Sequence, residues 1–93
     1  MMRYRHGILK VEHGIVPGLR EVLLELAERD DVHSIVPGRI YVTRGRSGGG
    51  LRVRASTTTA TGVKLIAKRG SSVQEVFVVC DDPELVRKVF EPV

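Results

Sequence analysis

Residues 51–57, LRVRAST, alternate strictly between apolar and polar side chains. That two-residue period is strand period, and it constrains this chain more than any other feature. Leu51, Val53 and Ala55 fall on one face, Arg52, Arg54 and Ser56 on the other. Such a strand belongs to a sheet with one covered face and one wet face, so something must supply the cover. Residues 33–44 (HSIVPGRIYVTR), 63–68 (VKLIAK) and 73–80 (VQEVFVVC) also read as extended. Pro37-Gly38, residues 59–62 (TATG) and 69–72 (RGSS) read as turns between them.

The cover is written upstream. Leu19, Val22, Leu23 and Leu26 recur at i, i+3, i+4 and i+7, one apolar face of a helix over about 17–29 that Pro17 opens. Asp82 as N-cap and Pro83 as first helical residue predict a second, short helix over 83–90, burying Leu85, Val86, Val89 and Phe90 in part. Residues 6–12 (HGILKVE) predict a first short strand. The order β-α-β-β-β-β-α with short links implies an antiparallel meander. The expected fold is a two-layer α+β sandwich with one long and one short helix. At 93 residues and 42% apolar content, 1–93 is expected to be a single domain. HGIVPG (13–18) and HSIVPG (33–38) match at five of six positions; Val-Pro-Gly is a convenient turn, and reuse of it explains the echo.

Sorting the strands by parity assigns Ile40, Val42, Leu51, Val53, Ala55, Val63, Leu65, Ala67, Phe77 and Val79 to the covered face. The opposite face receives Arg39, Tyr41, Thr43, Arg52, Arg54, Ser56, Lys64, Ile66, Lys68, Gln74, Val76 and Val78.

Charge is segregated along the chain. All eleven acids lie in 12–31 and 75–91, whereas Arg39, Arg44, Arg46, Arg52, Arg54, Lys64, Lys68 and Arg69 fall in a stretch with no acid. Net charge is +4, with a pI near 9.7. Like charges side by side on a sheet repel by roughly 0.2–1 kcal/mol per pair, and an anionic partner removes that repulsion. RNA or another polyanion is therefore the expected partner, held through phosphates, with a solvated face and self-association through a sheet edge or face as the alternatives. Tyr41 is the one aromatic that parity puts on the basic face, too few for base stacking to dominate. Gly45, Ser47, Gly48, Gly49 and Gly50, flanked by Arg44 and Arg46, read as a flexible hairpin tip beside that face. The tract lacks the Lys-Ser/Thr of a nucleotide-binding phosphate loop and precedes a strand. Gly45-Arg46-Ser47-Gly48 matches G-x-x-G but joins two strands, where the RNA-binding KH loop joins two helices.

Other chemistry is sparse. His6, His13 and His33 are the candidate ligands for a divalent metal of the zinc type, without helical i, i+4 spacing or a Cys-x-x-Cys pattern. Cys80 is a lone cysteine after a strand and reads as core. No Ser-His-Asp motif or carboxylate pair stands out, so a binding domain is expected ahead of an enzyme. No apolar run reaches the roughly 18 residues a membrane span needs, and the start lacks a signal-peptide apolar run. A cytoplasmic protein is expected.

RHGILKVEHGIVPGLREVL, SIVPGRIYVTRGRSGGGLRVR and TGVKLIAKRGSSVQEVFVV together resemble a small prokaryotic domain family of unknown function, labelled predicted metal-binding protein. The resemblance covers nearly the whole chain. It implies a metal, for which His6, His13 and His33 are the available positions.

Overall fold

A computed structural model describes residues 7–10, 14–46 and 48–91. The elements in chain order are α1 (Leu19–Ala27), β1 (Val32–Val42), β2 (Arg52–Thr58), β3 (Gly62–Arg69), β4 (Ser72–Cys80) and α2 (Pro83–Val89). All pairing between the four strands is antiparallel, and the fold is the expected α+β class.

The apolar stripe of α1 does what its spacing requires: Leu19, Leu23, Leu26 and Ala27 are buried. Gly18 caps its start at φ +90, a left-handed conformation that glycine adopts freely. Pro17 therefore lies just before the helix, outside it. In α2, the Asp82 carboxylate accepts from the Leu85 backbone N–H at 3.2 Å and Pro83 follows at the first position, as the sequence predicts. Val86 is its buried residue and joins the same core as α1 and the sheet.

Of the expected first strand, residues 7–10 are described; residues 6, 11 and 12 lie outside the described residues. The described part makes one parallel bridge, Leu9 to Ile35, and the Ile35 N–H donates to the Ile8 carbonyl at 2.7 Å. Ile8 is buried.

Strand order is β1-β4-β3-β2. The strands β2, β3 and β4 form the expected meander, but β1 pairs with β4, so β1 and β2 are opposite edges of the sheet. The glycine tract 44–50 is consequently not a hairpin tip. It carries the chain across one end of the sheet, past the β3–β4 turn, over three strand spacings or roughly 14 Å. Local turn chemistry had no means of distinguishing a hairpin from a crossing, because both need glycine.

A second departure lies in β1, which runs straight through Pro37-Gly38. The register shifts between Pro37 and Ile40, a bulge that accommodates a residue with no N–H to give. Gly38 is needed there for closeness: a Cβ would lie 3.1 Å from the Glu75 carbonyl oxygen.

Parity succeeds on β3, where Val63, Leu65 and Ala67 are buried, and fails on β4. Gln74, Val76, Val78 and Cys80 are the buried set, while Phe77 and Val79 are partly exposed on the outer face with Glu75. Both phases of VQEVFVVC carry apolar residues, so alternation alone left its register open. Val42, expected inward, is 77% exposed at the end of β1.

Gln74 is the one buried polar side chain of the described core. Its Oε1 accepts from the Val16 N–H at 2.9 Å, and its Nε2 donates to the carbonyls of Gly14 at 2.9 Å and Gly38 at 2.7 Å. The two IVPG segments thus meet at one amide. A buried amide is tolerated only when its partners are supplied, and here the backbone supplies them.

Candidate anion-binding site

Cross-strand partners share a face, so the registers lay out the outer surface in rows. At the end of the sheet near the glycine crossing, Tyr41, Val73, Lys68 and Arg52 form one row. The next holds Glu75, Ile66 and Arg54, and the one beyond it Val36, Phe77, Lys64 and Thr57. Four of the expected cations are therefore brought onto one surface: Arg52, Arg54, Lys64 and Lys68.

Glu75 corrects the acid-free picture of that face. Its carboxylate lies among the cations, with Oε1 3.9 Å from Lys64 Nζ. Both groups are about half exposed, so this pair contributes little to stability, on the order of 0–1 kcal/mol. Electrostatically it takes Lys64 partly out of play and leaves the excess of positive charge toward Arg52, Arg54 and Lys68.

Beyond the Tyr41–Arg52 row, the crossing closes over the β3–β4 turn. The Ser71 carbonyl accepts from both the Thr43 N–H at 2.6 Å and the Thr43 hydroxyl at 2.9 Å. Gly70, at φ +60, packs against Gly48, and a Cβ on it would lie 2.8 Å from the Gly48 nitrogen and oxygen. Gly48 and Gly49 are themselves at φ +96 and +98. The result is a recess of about 310 Å³, lined by this glycine backbone together with Arg44, Arg46, Arg52 and Lys68, and by no carboxylate among the described residues. Glycines without side chains let a ligand approach backbone N–H groups closely, and the cations supply the charge. Arg52 and Lys68 also line a larger depression of about 860 Å³, in which Arg54, Ile66, Val73 and Phe90 take part. Its carboxylate, Glu91, is held by the Arg87 guanidinium.

The remaining expected residues go elsewhere. Arg39 is exposed in the β1 bulge. Arg69 points away from the outer face, its Nη1 donating to the Pro17 carbonyl at 3.1 Å ahead of α1. Tyr41 is 55% exposed. Ser47, His6 and His13 lie outside the described residues. The basic sheet face is legible from charge and alternation; the recess is not, because it depends on the pairing of β1 with β4, and neither are Phe77 and Glu75, because both phases of β4 carry apolar residues.

At the opposite end, His33 Nε2 lies 2.7 Å from Asp81 Oδ1, both exposed. Nearby, Arg29 makes a two-pronged contact with Asp31, Nε to Oδ1 at 2.9 Å and Nη2 to Oδ2 at 3.0 Å. That hydrogen bonding holds the Asp31 carboxyl below the usual carboxylate range. Cys80 is buried, and burial pushes its thiol pKa up, which disfavours the reactive thiolate. Among the described residues, no three His, Cys, Asp or Glu side chains converge as a metal would require. Among the described residues, the carboxylate within hydrogen-bond distance of His33 is that of Asp81.

Fold and site together define a small two-layer α+β domain that presents a basic sheet face and a glycine-lined cationic recess. The chain belongs to the family described as "Predicted metal-binding protein (DUF2103)", whose model matches residues 5–90. No curated protein and no solved structure matches it. No helix among the described residues is long and apolar enough to cross a membrane.

Proposed function

We propose that this domain binds a polyanion, RNA among the candidates, through the phosphates of its backbone. The observation that carries the reading is the recess in which Arg44, Arg46, Arg52 and Lys68 line the glycine crossing with no carboxylate among the described residues. Phosphate oxygens are satisfied by charged side chains and by backbone N–H groups, and the recess is lined by four cations and by glycine backbone. Arg54 extends the positive surface along β2. Binding of this kind is weak in sequence preference and steep in salt. Fluorescence anisotropy with labelled RNA and DNA at two salt concentrations tests it. Binding at low salt that weakens in high salt, and weakens again in Arg52→Ala/Arg54→Ala, is expected. Absence of binding to either nucleic acid at low salt, or indifference to that double substitution, overturns it.

A second reading, a bound divalent metal, draws on the family's description and on the His33–Asp81 contact, since a carboxylate commonly orients a ligating imidazole. His6 and His13 would complete the ligand set. Native mass spectrometry of untagged protein tests it. A metal-free chain whose melting is unchanged by added zinc rejects it.

A further inference from the structure

The outer face carries aromatic rings in an arrangement that phosphate binding does not use. Phe77 belongs to β4, one of the two central strands, and its ring lies against Gly62 of β3: a Cβ on Gly62 would meet the ring at 2.9 Å and 3.0 Å, besides the Val78 carbonyl oxygen. A ring that covers a cross-strand glycine spreads along the sheet surface. Tyr41, at the β1 edge, is 55% exposed and shares its row with Val73, Lys68 and Arg52. The row of Phe77 lies four residues along β4 from that of Tyr41, about 13 Å. Val73 lies beside Tyr41, the intervening row holds Ile66 beside Glu75, and the cations of β2 and β3 flank these residues on one side.

We infer that the polyanion is an unpaired nucleic-acid strand, whose bases stack on Tyr41 and Phe77 while its phosphates face Arg52, Arg54 and Lys68 and enter the glycine recess. This rests on the polyanion reading and adds the bases to it. Every base offers a π face, so the platform tolerates any sequence. A duplex keeps its bases stacked on one another and presents none to these rings. The rings would be left facing phosphates, a poor match for both. Glu75 stands between the rows of the two rings and is paired with Lys64, which shares the row of Phe77; Tyr41 lies on one side of that carboxylate along the sheet and Phe77 on the other.

The test uses three probes at one low salt concentration: a short single-stranded RNA, an abasic phosphodiester strand of equal length, and a duplex. Two variants accompany the wild-type chain. Tyr41→Ala alters an exposed side chain and leaves the core intact; Phe77→Leu keeps apolar bulk and removes the ring. The expected result is tighter binding of the base-bearing strand than of the abasic strand or the duplex. Each variant should weaken the base-bearing strand roughly fivefold or more, the effect of one lost stacking contact, and leave the abasic strand unchanged. Equal affinity for base-bearing and abasic strands overturns the inference while the polyanion reading stands. So does a loss that falls on both strands alike. Failure of all three probes to bind the wild-type chain removes the polyanion reading itself.

Discussion

Gly70 in the β3–β4 turn lies against Gly48 in the crossing, with room for no further atom: a Cβ on residue 70 would stand 2.8 Å from the backbone nitrogen and oxygen of residue 48. This contact seats the crossing over the end of the sheet and gives the recess its floor. Gly70→Ala has two consequences. The left-handed φ of +60 disfavours a side chain by roughly 1–2 kcal/mol, and the added methyl lifts the crossing from the turn. Denaturant unfolding should show a loss of that order, and polyanion affinity should fall with it. Unchanged affinity in a folded Gly70→Ala chain would separate the recess from binding.

Gln74 predicts a larger effect on stability and none on binding. Replacing it with methionine keeps its volume and leaves the Val16 N–H and the Gly14 and Gly38 carbonyls without their side-chain partner. Buried groups left unmatched cost about 1–3 kcal/mol each, reduced where water reaches them. Gln74→Met should therefore destabilise by roughly 2–4 kcal/mol in urea or guanidinium unfolding. A loss under about 0.5 kcal/mol, the size of an ordinary surface substitution, would show that the amide does not tie the two IVPG segments together.

Glu75 works in the other direction. Its carboxylate opposes any phosphate on the outer face, by about 0.7 kcal/mol at about 6 Å in water, or roughly threefold in affinity. Glu75→Gln should bind polyanions that much more tightly at low salt and melt within a few degrees of the wild type. Titration by anisotropy reads the first, thermal unfolding the second.

Acid sensitivity follows from Arg29 and Asp31. The hydrogen bonds from Arg29 hold the Asp31 carboxyl below its ordinary value in the folded chain. A carboxyl depressed on folding adds stability at pH above its unfolded value near 4, and that stability is lost as pH falls through the folded value. Unfolding measured from pH 7 downward should thus show stability declining below about pH 4, and Asp31→Asn should flatten that decline. An identical acid limb in the two chains would remove the pair from the account.

The parts of the molecule legible in the sequence are those written locally. The stripe from Leu19 to Leu26 gave α1, Asp82-Pro83 gave the start of α2, and the alternation of 51–57 and 63–68 gave β2 and β3 with their faces. What was illegible depends on partners distant in the chain. Gln74 reads as a surface residue until Gly14, Val16 and Gly38 are placed around it. Parity puts Phe77 on the covered face, and the structure puts it on the outer one beside Glu75, because Val76 and Val78 satisfy the opposite phase equally well. The glycines at 48–50 announce a change of direction, but only the pairing of β1 with β4 makes that change a crossing. The recess was consequently visible as a list of arginines and glycines and not as an enclosure.

The most direct measurement is the salt dependence of polyanion binding with and without the recess cations. The logarithm of the association constant for single-stranded RNA, plotted against the logarithm of salt concentration, should fall linearly in the wild-type chain. In Arg52→Ala/Lys68→Ala the slope should be shallower by about 0.7 for each cation removed. A chain that binds no RNA at low salt contradicts the account, as does a double variant with the wild-type slope.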